Sequence, residues 1–119
     1  MRKEVFHLAN CNTCQKIMNE VGVDDSFKVQ EIKTESITAK QLDEMIEMQG
    51  SAEELFSRRA MKYRSLGLNE QTLTEKDYRK YILAEYTFLK RPVFIIDNQI
   101  FAGNAKKTIE AIKLASKNS

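Results

Sequence analysis

The chemistry-bearing residues of this chain lie in Asn10-Cys11-Asn12-Thr13-Cys14-Gln15-Lys16, which contains the only two cysteines among 119 residues. A short apolar run, Val5-Phe6-His7-Leu8, precedes it, and a helix-period stripe follows. A C-x-x-C pair between a strand and the first turn of a helix suits thiol–disulfide exchange. A thiolate at a helix N-terminus faces unpaired backbone N–H groups and the positive end of the macrodipole, which lower its pKa. Cys11 takes that place and is the expected nucleophile. Ile17, Met18 and Val21 fall at i+3, i+4 and i+7 from Cys14, so Cys14 lies on the core-facing stripe and is the expected resolving thiol. A zinc site needs four ligands, and the sequence offers two cysteines and one histidine, His7. No metal is expected.

Composition bounds the remaining possibilities. At 42% hydrophobic residues the chain can bury a core without disulfides or metal, and a single domain over residues 1–119 is expected. A net charge of +2 is too close to balance to imply a nucleic acid or membrane partner. The N-terminal apolar run is shorter than a signal-peptide core, and Val93-Phe94-Ile95-Ile96 is far shorter than a membrane span. A cytoplasmic monomer is expected. Thiols are kept reduced there, which favours a catalytic or sensing role for the pair over a structural one.

The elements that must position the cysteines can be read in order. Residues 2 to 8 form a strand, a helix runs from about Thr13 to Val21 with Gly22 as its stop, and Phe27 to Ile32, alternating apolar with polar residues so that Val29 should face inward and Gln30 outward, forms a second strand, parallel to the first. A helical block follows at about 38–88. Thr38 caps a helix ending at Gly50, Ser51-Ala52-Glu53-Glu54 is a capping box, and Thr74-Glu75-Lys76-Asp77 caps a helix running to about Thr87. Glu85 breaks the apolar stripe of that last helix. Val93 to Ile96 and Ile100 to Gly103, joined by Asp97-Asn98-Gln99, form a hairpin, with Pro92, the only proline, opening it. A final helix spans Ala105 to Ala115, with Ile109 and Ile112 inward.

This order is that of an α/β, thioredoxin-like fold with a helical insertion between the N-terminal strand-helix-strand unit and the C-terminal hairpin-helix unit. Three segments narrow it: Cys11-Asn12-Thr13-Cys14-Gln15-Lys16, the insertion run from Leu55 to Leu68, and Leu89-Lys90-Arg91-Pro92-Val93. On these the chain resembles the arsenate reductase (ArsC)/Spx family. The resemblance implies a cis Arg91–Pro92 bond that sets Arg91 beside the cysteine. It also implies that Arg59 and Arg91 bind an oxyanion through planar N–H forks, with Arg58 as the neighbour that could take the place of Arg59. His7, four residues before Cys11, has a counterpart in some family members and could help deprotonate the thiol. A histidine packed in a strand is the plainer reading.

The resemblance implies an arsenate reductase-like thiol oxidoreductase, acting on a small oxyanion or a disulfide. The Cys11 adduct would be resolved by Cys14 or by an external thiol. No cofactor is implied beyond such a reductant, glutathione with glutaredoxin or thioredoxin, and hence a redox partner protein. Single-cysteine arsenate reductases carry Ser and Arg where this chain has Cys14 and Gln15, and a further arginine where it has Gly103-Asn104-Ala105-Lys106. The C-x-x-C matches the Spx branch instead, which implies the alternative of a redox-sensing regulator that binds RNA polymerase.

Overall fold

The computed structural model describes residues 2–117, which divide into two compact units, residues 2–36 with 91–117, and residues 37–90. The first unit holds a four-stranded sheet built from β1 (Lys3–His7), β2 (Lys28–Glu31), β3 (Val93–Ile96) and β4 (Gln99–Ala102). Their order is β2-β1-β3-β4, with β1 parallel to β2 and antiparallel to β3, and β3 antiparallel to β4. This is the thioredoxin-like arrangement that the order of elements implies.

Between β1 and β2 runs α1 (Asn12–Val21), and α5 (Lys106–Lys117) closes the unit. Both helices supply apolar residues to one core. Ile17 and Ile112 meet Val5, Phe27, Phe94 and Ile96, with Met18, Val21 and Ile109 packed against the cluster. Burial of such side chains stabilises by roughly 1.5–3 kcal/mol each. Lys113 pairs with Glu20 of α1 at 2.8 Å at the surface. Gly22 ends α1 in the left-handed region at φ 83°, where a side chain would be strained.

Two local expectations are corrected. The hairpin loop is two residues, Asp97 and Asn98, and Gln99 already pairs with Ile96. Asp97 takes φ 53°, which aspartate tolerates better than most residues, and the tight turn follows. In β2 it is Gln30 that is buried and Val29 that is exposed, because β2 lies at the sheet edge and the Gln30 amide donates to the Glu35 carbonyl at 3.1 Å.

The second unit is helical: α2 (Ala39–Gln49), α3 (Met61–Ser65) and α4 (Glu75–Ala84), with 3-10 turns at Glu53–Leu55, Leu68–Glu70 and Tyr86–Phe88. Thr38 and Thr74 both form reciprocal capping boxes. Ser51 Oγ accepts from the Glu54 N–H at 3.2 Å, but the turn it starts is 3-10 rather than α. The helix expected to reach Thr87 stops at Ala84. Glu85 turns extended, its carboxylate binding Lys62 at 2.5 Å, and the chain resumes as the 3-10 turn that buries Phe88. Phe56 is the hub of this unit, stacked on Phe88 at 5.0 Å and contacting Tyr78 and Tyr63. Backbone bonds from Ser57 to Phe88 and from Lys90 to Leu55 tie the unit's entering and leaving segments together.

Candidate active site

The site grows from the turn that links β1 to α1. The Cys11 N–H donates to the Leu8 carbonyl at 3.2 Å, closing a four-residue turn through Ala9 and Asn10. Cys11 then serves as the N-cap of α1, with its sulfur accepting from the Cys14 N–H at 3.5 Å. The helix therefore begins at Asn12, one residue earlier than its apolar periodicity suggests, since a sulfur in place of the usual oxygen caps it. Cys14 is fully buried and Cys11 partly exposed, both as free thiols.

The two sulfurs differ in acidity for stated reasons. Burial pushes the Cys11 thiol up, but this is outweighed by the Cys14 N–H, the Cys14 thiol, the Arg91 guanidinium and the Thr13 N–H, so its pKa falls below the ordinary value. Burial, followed by hydrogen bonding and repulsion from Cys11, pushes Cys14 up to about 11, against lowering contributions from the Leu8 backbone and Arg91. The sulfur at the helix tip is thus the more acidic of the two, and the one behind it the less acidic.

Arg91 and Pro92 stand immediately before β3, joined by a cis peptide bond. Pro92 is buried, and its carbonyl accepts from the Gly103 N–H at 3.0 Å. Arg91 is half-buried; its Nη1 is buried and has no hydrogen-bond partner among the described residues. The same guanidinium lowers the pKa of both thiols.

Three more side chains hold the cysteine turn. Gln15 Nε2 lies 3.1 Å from the Leu8 carbonyl and 3.3 Å from His7 Nδ1, with His7 buried. Glu31, at the end of β2, accepts from the Ala9 N–H at 2.9 Å and from the Thr34 and Lys33 N–H groups. Chiefly through the Ala9 and Thr34 N–H groups, its carboxyl is held down to about 2. Sequence reasoning missed Glu31, because nothing in its spacing ties it to residue 9; only the register of β1 on β2, with His7 beside Glu31, places it there.

The arginines of the second unit are resolved individually. Arg58 donates to Glu53 at 2.7 Å and to the Tyr78 hydroxyl at 3.0 Å, with its guanidinium over the Tyr78 ring. Arg59 is exposed, in the turn before α3. Among the described residues, no group of three or more His, Cys, Asp or Glu could hold a metal ion. Among the described residues, no helix is long and apolar enough to cross a membrane.

Fold and site together define a thioredoxin-like protein with a C-x-x-C pair at the tip of its first helix. The ArsC family profile matches residues 6–112, and the chain belongs to that family. Among solved structures it is similar to an arsenate reductase from Vibrio cholerae (TM-score 0.78, 14% identity, 94% of this chain and 98% of that one). It is also similar to an arsenate reductase (ArsC) related protein from Brucella melitensis (TM-score 0.70, 24% identity, 93% of each chain). At these identities the likeness is one of fold. A search of curated protein sequences gives no match.

Proposed function

We propose that this protein is a thiol-dependent oxidoreductase of the arsenate reductase kind, in which the Cys11 thiolate attacks an oxyanion and Cys14 or an external thiol resolves the adduct. The observation that carries the reading is Arg91 Nη1, a buried donor without an acceptor on the residue whose charge lowers the Cys11 pKa. An oxyanion supplies the missing acceptor and brings its central atom to the nucleophile. Charge-assisted hydrogen bonds from a planar guanidinium suit a tetrahedral anion better than a point charge does.

The chemistry balances with arsenate as substrate. The Cys11 sulfur bonds to arsenic as an oxygen leaves as water. A second thiol then attacks the Cys11 sulfur, forming a disulfide, and the electron pair of the broken sulfur–arsenic bond reduces arsenic from the pentavalent to the trivalent state. When Cys14 attacks, the product is a Cys11–Cys14 disulfide, which a reductant of the glutathione and glutaredoxin or thioredoxin class must reopen. We place this cycle in the cytoplasm, where such reductants are held.

The family resemblance also nominates Arg59 as a substrate ligand. Of the insertion pair, Arg58 is already engaged by Glu53 and Tyr78. The direct test is arsenate turnover by reduced protein with glutathione plus glutaredoxin, and separately with thioredoxin, for the native chain and for Cys11→Ser, Arg91→Met, Arg59→Ala and Arg58→Ala. Loss with the first three and retention with the last is expected. The C-x-x-C pair favours one other reading, a redox-sensing regulator of the Spx kind that binds RNA polymerase. Absence of turnover together with polymerase binding that depends on Cys11–Cys14 oxidation would establish that reading instead.

A further inference from the structure

The Gln15 amide makes two contacts that together do something neither does alone. Its Nε2 lies 3.1 Å from the Leu8 carbonyl, the same oxygen that receives the Cys11 N–H at 3.2 Å. A carbonyl can only accept, which fixes the nitrogen end of the amide toward it. The second amide proton then points at His7 Nδ1, 3.3 Å away. A ring nitrogen accepting that proton carries none of its own, so the neutral imidazole holds its proton on Nε2.

We propose that Gln15 is a positioning residue for the Cys11 sulfur, holding the Leu8 carbonyl at the start of the cysteine turn, with His7 fixed in its Nε2–H tautomer as the anchor for Gln15 rather than as the base for Cys11. Three observations support this from separate directions. His7 is buried in β1, and its Nδ1 lone pair is committed to Gln15, so Nδ1 has no capacity to take a thiol proton. Gln15 also belongs to the first turn of α1, its own N–H donating to the Cys11 carbonyl at 3.1 Å. Backbone and side chain of one residue therefore grip both ends of the turn, at Leu8 and at Cys11. Glu31 holds the Ala9 N–H in the middle of the same turn, which leaves the Leu8 carbonyl as the point where a side chain from α1 sets how the turn meets the helix. The sulfur reaches the Cys14 N–H at 3.5 Å only while that junction is kept.

This proposal rests on the reading of Cys11 as the reactive thiol, and the experiment separates the two. The probes are iodoacetamide alkylation of the reduced full chain across pH, with the labelled cysteine identified by mass spectrometry, and the 15N shifts of the His7 ring. Gln15→Met keeps length and loses both donors. It is expected to slow Cys11 alkylation at neutral pH by about 3- to 10-fold, the effect of losing one or two modest hydrogen bonds. His7→Phe, which keeps the Gln15 bond to Leu8, is expected to slow it less. The unaltered protein should show an unprotonated Nδ1, and Gln15→Met should lose that single tautomer while its thermal unfolding stays cooperative. An unchanged alkylation profile in Gln15→Met, a larger effect in His7→Phe, or an Nδ1–H tautomer in the unaltered protein would each overturn the proposal. Labelling of Cys14 ahead of Cys11 in the unaltered protein is the distinct result that overturns the nucleophile assignment on which it rests.

Discussion

Arg91→Met sets anion recognition against stability. The substitution keeps most of the apolar stem and removes the guanidinium whose Nη1 is buried and has no hydrogen-bond partner among the described residues. A buried donor left unsatisfied costs about 1–3 kcal/mol, while an arginine stem and a methionine lose similar rotamer freedom on folding. In anion-free buffer the variant should therefore be as stable as the parent or more stable by up to about 2 kcal/mol, which is unusual for a substitution at a partly buried residue. With anion the order reverses. Ligand at a hundred times its dissociation constant stabilises the folded state by about 2.7 kcal/mol. For a chain of this size that is a rise in Tm on the order of 10 °C, and the variant should lose most of it.

The assay is thermal unfolding against sulfate or arsenate concentration, carried out in a Cys11→Ser background. That background matters because Arg91 also lowers the Cys11 pKa, and removing the thiolate leaves only the anion and the orphaned donor in the comparison. A chloride series at matched ionic strength accounts for general salt effects. Two results would refute the reasoning: a variant less stable than its parent by more than about 1 kcal/mol without anion, or one that keeps the parent's full response to sulfate and arsenate. The first would mean that Nη1 is satisfied in solution; the second, that the anion is bound elsewhere.

The cysteines make further outcomes checkable. Alkylation of reduced protein should modify Cys11 first, at a pH below the free-thiol range, and Cys14→Ala should raise the Cys11 pKa because the thiol that donates to its sulfur is gone. Mild oxidation should remove two free thiols per chain without forming dimers, and a product dominated by disulfide-linked dimers would contradict Cys14 as the resolving group. Stability at alkaline pH should carry the signature of Cys14. Its folded pKa of about 11 lies above the ordinary 9.0, so its contribution is full below about pH 9 and is lost as pH rises from there through 11. The decline in unfolding free energy over that window, from chemical denaturation with reductant present, should be shallower in Cys14→Ala than in the native chain.

The strongest local signals in the sequence carried over into the structure because each is short-ranged. Gly22, Thr38, Gly50 and Thr74 terminate or cap helices where their chemistry says they should, since a left-handed residue or a capping oxygen acts on its own turn. The split between Cys11 and Cys14 was legible for the same reason: helix period and position at the tip decide it within one turn. What the sequence hid depends on pairing across the sheet. The Glu31 grip on Ala9 exists because β2 lies in register on β1, and Gln30 turns inward although Val29 beside it is the apolar residue. The early stop of α4 had a visible cause in Glu85, but its partner Lys62 lies in α3, and no local pattern links the two. Arg58 and Arg59, adjacent in sequence, were separable only once the Arg58 bonds to Glu53 and Tyr78 were seen.

In the proposed cycle the difference in acidity between the two sulfurs would also order the steps, because part of it is conditional on the charge it serves. After burial, the influences that raise the Cys14 pKa come from Cys11: its sulfur as a hydrogen-bond acceptor and its charge as a repulsion. Both vanish once Cys11 is bonded to an acceptor atom, while the lowering effects of the Leu8 backbone and Arg91 persist. In that cycle the Cys14 pKa would fall once there is an adduct for it to attack. Before that point its proton lies in the hydrogen bond that helps lower the Cys11 pKa. An external thiol has no such link to the state of Cys11, so resolution by Cys14 couples the second step to completion of the first. A serine in place of Cys14 keeps a donor to Cys11 but has no sulfur with which to resolve the adduct. The second cysteine therefore adds the resolving step without giving up the hydrogen bond that prepares the first.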